Sequence, residues 1–162
     1  MKILSALYES MWGYLVKALE LPNDYPIVKA YRNNVPIPEN AIIMCFREDG
    51  NLDQLSRAYE GNKQIIFDSV RGTMQLDFYG EDAYDKARQI ATLWKSTYTT
   101  DTLVNCVPLN NPRIRDLTFV NETGQYELRF MLDLELEYNT KYEKTVNIVE
   151  DISQFELESI NV

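Results

Sequence analysis

From Tyr126 to Tyr138 every second residue is large and apolar: Tyr126, Leu128, Phe130, Leu132, Leu134, Leu136 and Tyr138. Most of the residues between them are polar, including Glu127, Arg129, Asp133, Glu135 and Glu137. Strand side chains point alternately to opposite faces, so this stretch predicts one long antiparallel strand with one face in a core and one acidic face in solvent. Asn121-Glu122-Thr123-Gly124 precedes it and reads as a hairpin turn from Leu117-Thr118-Phe119-Val120.

The strand needs covering elements, and the rest of the chain supplies them. Leu4, Leu7, Tyr8, Met11, Trp12, Leu15, Val16 and Leu19 recur at helical spacing and predict a helix with one apolar stripe, ended by Leu21-Pro22. Ile27 to Tyr31 reads as a short strand, followed by an extended connector through Pro36 and Pro38. Ala41 to Phe46 is a continuous apolar run, expected as a strand buried on both faces. Residues 47–62 are polar, with turn signals at Asp49-Gly50-Asn51 and Gly61-Asn62, and read as a long loop.

Lys63 to Tyr79 reads as a long strand, with Val70, Met74, Leu76 and Phe78 on one side. Gly72 falls on that apolar side, where a strand glycine marks a bulge or a close backbone approach. Glu81 and Asp82 then open a second helix, where the dipole favours negative charge, and Ala83, Ala87, Ile90, Ala91 and Trp94 share its apolar face. Leu103 to Leu109 is a further apolar segment, and Thr145 to Val162 adds a last strand or an arm. The sum is an α+β fold: a mostly antiparallel sheet, two main helices packed on one face, and a long C-terminal hairpin strand. At 162 residues, the whole span 1–162 is expected to form a single domain, with 140–162 as its extending arm or last strand.

Charge and residue types narrow the function. With 25 acidic against 16 basic side chains the net charge is −9, which repels a DNA backbone and argues against sequence-specific nucleic-acid binding. The sequence has no histidine, which excludes Ser-His-Asp and Cys-His catalysis and histidine-ligated zinc. Cys45 and Cys106 each sit in an apolar stretch and read as two buried thiols, although spacing alone leaves a disulfide open. The apolar N-terminus is interrupted by Glu9, Lys17 and Glu20, unlike a signal peptide, and no stretch approaches the roughly 18 apolar residues of a membrane span.

Three groups deserve a site reading. Asp77, Glu81, Asp82 and Asp85 offer carboxylates for a divalent cation, but helix capping and dipole compensation explain the same residues without a metal. Arg113-Ile114-Arg115-Asp116 offers an anion site or, more simply, a surface ion-pair cluster. The eleven tyrosines suggest an interaction surface, though Tyr126 and Tyr138 are already placed by the strand pattern. No phosphate loop, paired-cysteine motif or nucleophile elbow is present, so no catalytic, metal or cofactor residue is assigned.

Met74-Gln75-Leu76-Asp77-Phe78-Tyr79-Gly80-Glu81-Asp82-Ala83-Tyr84-Asp85-Lys86-Ala87, continuing to Leu93-Trp94-Lys95-Ser96, resembles the central strand-to-helix motif of phage neck and tail terminator proteins. Gly124 to Phe130, Leu132-Asp133-Leu134 and Tyr138-Asn139 resemble that family's long C-terminal strand, and Pro26 to Asn33 its first strand and turn. The resemblance runs from about residue 3 to 140 and is most specific over 74–96.

It implies a non-enzymatic virion protein of a tailed bacteriophage or prophage, made in the host cytoplasm and carried in the neck. Such a protein caps the tail tube, ends its polymerisation and offers a docking surface for the head. Its implied partners are itself, as a homohexameric ring, the tail tube protein and the head–tail connector protein, with no membrane and no cofactor. Arg113, Arg115, Glu127, Asp133 and Glu135 are the candidate residues for a subunit or tube interface. The rival readings are a head–tail connector or other tail completion protein and, from another class, an acidic protein that mimics DNA.

Overall fold

The structure is a computed structural model that describes residues 2–31, 36–52 and 55–146. Its frame is three long strands: β2 (Ile42–Asn51), β4 (Lys63–Tyr79) and β9 (Arg129–Thr145). The two 17-residue strands β4 and β9 pair antiparallel in unbroken register from Lys63↔Thr145 to Tyr79↔Arg129. At about 3.3 Å per residue each runs roughly 55 Å.

On one side β2 pairs antiparallel with β4 and β1 (Ile27–Lys29) pairs parallel with β2. On the other, β5 (Val107–Pro108) and β6 (Arg115–Asp116) pair with β9. A separate two-stranded hairpin joins β7 (Phe119–Val120) to β8 (Tyr126–Glu127) through Asn121–Gly124, as the turn signal predicts.

Two helices lie on one face of this sheet. In α1 (Ile3–Ala18), Leu7, Met11, Tyr14 and Leu15 are buried, whereas Leu4 and Trp12, which share the predicted stripe, remain exposed. In α2 (Ala83–Leu93), Ala83, Ala87 and Ile90 are buried. They close on Ile42 and Met44 of β2, the even positions Val70 to Phe78 of β4, and Leu132, Leu134, Leu136 and Tyr138 of β9. Alternation on each strand thus delivers one apolar face to a single core, and small alanines let α2 lie close on it.

A third helix, α3 (Thr97–Thr102), is too polar for periodicity to reveal. It is held by the Ser96 side chain, which accepts from the Thr99 N–H at 3.4 Å, and by the buried Thr99 hydroxyl against Tyr14 and the Leu93 carbonyl.

Two glycines have local reasons. At Gly80 the chain turns from β4 into α2 at φ +104°, and any Cβ there would strike the Asn40 side chain. At Gly72 a Cβ would lie 2.8 Å from the Phe46 ring and 3.1 Å from the Tyr138 ring, so this is the close approach expected of it. The opposite strand is irregular here too, with a register shift between Phe46 and Glu48.

The structure corrects the sequence reading in two places. Residues 47–62 are not one long loop: β2 continues to Asn51, and β3 (Ser56–Glu60) pairs with β4 through a two-residue turn at Gly61-Asn62. Every residue of β3 is exposed, so no buried face imprinted an alternating pattern on it. The alternating stretch 126–138 is also not one strand. It breaks at Leu128, and Tyr126, 80% exposed, belongs to the small hairpin instead of the core. The final segment expected after Thr145 lies outside the described residues from 147 onward.

Candidate functional site

The five residues singled out for an interface are not one group. Arg115 on β6 forms an ion pair with Asp133 on β9, and Glu135 stands 3.9 Å from Arg71 on β4. These lie on the sheet face away from the helices. Glu127 belongs to the β7–β8 hairpin, where it accepts from the Asn121 side-chain N–H at 3.0 Å, and Arg113 is exposed in the segment before β6. Arg115 is therefore matched by a carboxylate of another strand and not by its neighbour Asp116, which accepts from the Thr118 N–H at 2.9 Å.

The four carboxylates near the start of α2 do not converge. Alternation turns Asp77 to the sheet face opposite the helices, where it is buried and receives two hydrogen bonds. The Arg129 guanidinium stands 2.9 Å from Oδ1, and the Gln75 amide donates to Oδ2 at 2.6 Å. Asp82 precedes the helix but makes no side-chain cap, and its carboxylate meets Lys86 one turn on at 3.2 Å. Asp85 sits in the first turn, where the dipole favours it. Among the described residues no set of three or more Asp, Glu or Cys gathers as metal ligands do.

Cys45 and Cys106 are both buried and free, as expected of two packed thiols. Burial pushes the Cys106 thiol above its usual range, which keeps it protonated and unreactive.

What the structure gathers instead are two exposed regions at opposite ends of β9. Beyond Val70 and Tyr138 the three strands run on past the helix-covered core. There β3, residues 63–69 of β4 and residues 139–145 of β9 form a projecting three-stranded arm. One face carries Phe67, Lys63, Lys141 and Glu143, whose charges are paired among themselves; both lysines hold the Glu143 carboxyl below its usual range.

The other face carries two cross-strand rows, Arg57–Ile66–Tyr142 and Tyr59–Gln64–Lys144. Tyr59 and Tyr142 are 61% and 57% exposed, and neither Arg57 nor Lys144 forms an ion pair among the described residues.

The free edge of β9 differs along its length. Between Arg129 and Glu137 it is occupied by β5, β6 and the Asn110 side chain. That amide donates to the Asp133 carbonyl at 2.9 Å and accepts from the Glu135 N–H at 2.9 Å and the Trp94 indole N–H at 3.0 Å. Beyond Asn139 that edge meets no strand among the described residues.

At the opposite end, the β7–β8 hairpin and the turn into α2 enclose a groove of about 790 Å³. Phe119, Tyr126 and Leu128 supply exposed apolar surface, and among the described residues Glu39, Glu81, Asp82 and Glu127 set four carboxylates against the ammonium of Lys86. Sequence reasoning missed β3 in the arm, because its polar residues showed no period, and missed this groove, because its walls are far apart in the chain.

A domain whose longest strands outrun its core, and which exposes aromatic side chains at both ends, is built for contact with other protein chains. Comparison with known families gives that class its identity. The profile of the phage neck terminator proteins matches residues 5–161, and the chain belongs to that family.

Among solved structures, the chain is similar to the sheath/tube terminator of an extracellular contractile injection system (PVC, extended state). The identity is 9% and the TM-score 0.47; the match covers 100% of this chain and 65% of that one. The chain thus spans slightly less than two thirds of that protein. A search of curated proteins finds no significant match.

Proposed function

We propose that this chain, as one domain over 1–162, caps the phage tail tube as a closed ring of identical copies, ends tube polymerisation and presents its other face to the head–tail connector. Membership of the phage neck terminator family over residues 5–161 is the observation that carries this reading. The two different exposed ends favour it as well, because a closed ring of more than two copies needs a heterologous contact between unlike patches. A hexamer is the expected ring. Assembly takes place in the host cytoplasm, and the ring stays in the neck of the particle.

The charge suits that place. Asp133 and Glu135 lie on the sheet face opposite the helices, each paired there with an arginine, in a chain of net charge −9. Turned to the bore, a face whose arginines are already matched by carboxylates lets DNA pass without holding it. A cryo-EM map of the neck with that face turned outward overturns the bore assignment.

The test of the function is tube growth in vitro. Purified tail tube protein is polymerised with increasing amounts of this chain, and tube lengths are measured by electron microscopy. Shorter tubes with the chain bound at one tip are expected. Unchanged lengths with no tip density overturn the reading.

A further inference from the structure

The arm and the groove are complementary to each other. The arm face with Arg57, Tyr59, Ile66, Tyr142 and Lys144 joins aromatic surface to two cations that lack an acidic partner among the described residues. The groove at the other end of the molecule joins aromatic surface to an excess of carboxylates. They stand apart on the same chain, at either end of the 17-residue β9, so a chain of this build does not bring its own arm to its own groove. Like-signed partners would repel at both sites. A second copy offers each of them the opposite charge, an apolar match and, along the stretch of β9 that meets no strand among the described residues, a strand edge at the rim of the contact.

We infer that the arm of one copy seats its Arg57–Tyr142–Lys144 face in the groove of the next, with Arg57 and Lys144 against Glu39, Glu81 and Glu127, and Tyr59 and Tyr142 against Phe119 and Tyr126. The occupant of each groove is a second copy of this chain, and the inference rests on the ring reading above. The contact is heterologous, each copy giving an arm and receiving one, which is the rule for a cyclic assembly. Its apolar centre supplies the affinity. The charges around it set direction and register, so that arm does not meet arm.

The experiment is a charge exchange read by light scattering and by binding to purified tail tubes. Arg57→Glu with Lys144→Glu reverses the arm, and Glu39→Lys with Glu81→Lys reverses the groove; all four positions are exposed. Each pair is expected to raise the concentration for half-assembly at least tenfold, and all four in one chain to bring it back towards the natural value. Circular dichroism melts confirm that each variant is folded.

Tyr142→Cys with Tyr126→Cys gives a second readout that needs no charge change. Because Cys45 and Cys106 are buried, a short bismaleimide is expected to link copies only through the new pair. A natural-sequence ring that both reversals leave unchanged, without cross-links, overturns this contact alone. If tube binding falls instead while the ring persists, the arm belongs to the tube protein and the contact is again overturned. A natural-sequence chain that stays monomeric both in solution and on tubes overturns the ring reading together with the contact.

Discussion

Tyr138 of β9 donates its phenol hydrogen to the Asp49 carboxylate of β2 at 2.6 Å, although β4 runs between the two strands. The bond passes over Gly72, the one position of β4 at this level without a side chain, and the Phe46 ring packs beside it. This group of four residues closes the core where the arm begins. Burial, and then the Asp49 carboxylate, push the Tyr138 phenol far above its ordinary value of 10.0.

Tyr138→Phe is expected to keep the fold and lower stability by about 1.5 kcal/mol, the low end for one hydrogen bond to a charged group because this one is only partly buried. The raised phenol also sets the sign of a pH effect. The folded state holds this proton more tightly than the unfolded chain, so the contribution is complete below about pH 10 and is lost as pH rises from there. Urea titrations from pH 8 to 11 check both points: Tyr138→Phe should flatten the alkaline fall in stability.

Gly72→Ala places a Cβ 2.8 Å from the Phe46 ring and is expected to cost about 1–2 kcal/mol, the range for overpacking a filled site. In a Phe46→Leu background the same change should cost clearly less. A double-mutant cycle in urea measures the coupling, and additive effects would show that the ring is not what limits this position.

The buried Asp77 depends on Arg129. Arg129→Met leaves a buried carboxylate with only the Gln75 amide and is expected to destabilise by about 3 kcal/mol. Asp77→Leu with Arg129→Met should recover most of that loss, because it removes the orphaned charge along with its partner. Thermal unfolding of the three variants at pH 7 decides it.

Asn110 serves three groups at once, so Asn110→Leu strips the Glu135 N–H and the Trp94 indole N–H of their acceptor. A loss of about 2 kcal/mol is expected, together with faster amide exchange at Glu135, read by hydrogen-exchange NMR or mass spectrometry.

Arg115→Ala probes the earlier interface candidates. The pair with Asp133 is about half exposed, and removing it should change stability by less than about 0.5 kcal/mol. If tube binding nonetheless drops, this face touches the tube; unchanged binding shows that the pair takes no part in that contact.

Elements that bury one face were legible in the residues alone. The alternation over Phe130–Tyr138, that over Val70–Phe78 and the stripe Leu7–Met11–Leu15 all follow from side chains sorted by a core, and sorting leaves a period. Gly72 was legible for the converse reason, as a missing side chain on an apolar face. β3 and α3 were not. The exposed strand has no sorted face, and the polar helix owes its place to Thr99 hydrogen bonds with residues that periodicity does not mark.

The candidate site divides in the same way. That the chain resembles a neck terminator could be read from local sequence. The charged partners could not. Asp77 stands beside Glu81 and Asp82 in the chain, yet the pleat turns it to the other side of the sheet, onto an arginine 52 residues away. Glu39, Glu81 and Glu127 share a groove only because the connector before β2, the turn into α2 and the β7–β8 hairpin meet in space.

By itself, then, the sequence determined which segments pair into a sheet and which faces they bury, because those depend on periods of two and 3.6 residues. The tertiary structure decided where the long strands outrun the core, which charges meet, and which aromatic side chains stay in solvent. Those depend on register between strands far apart in the chain, and no local pattern encodes it.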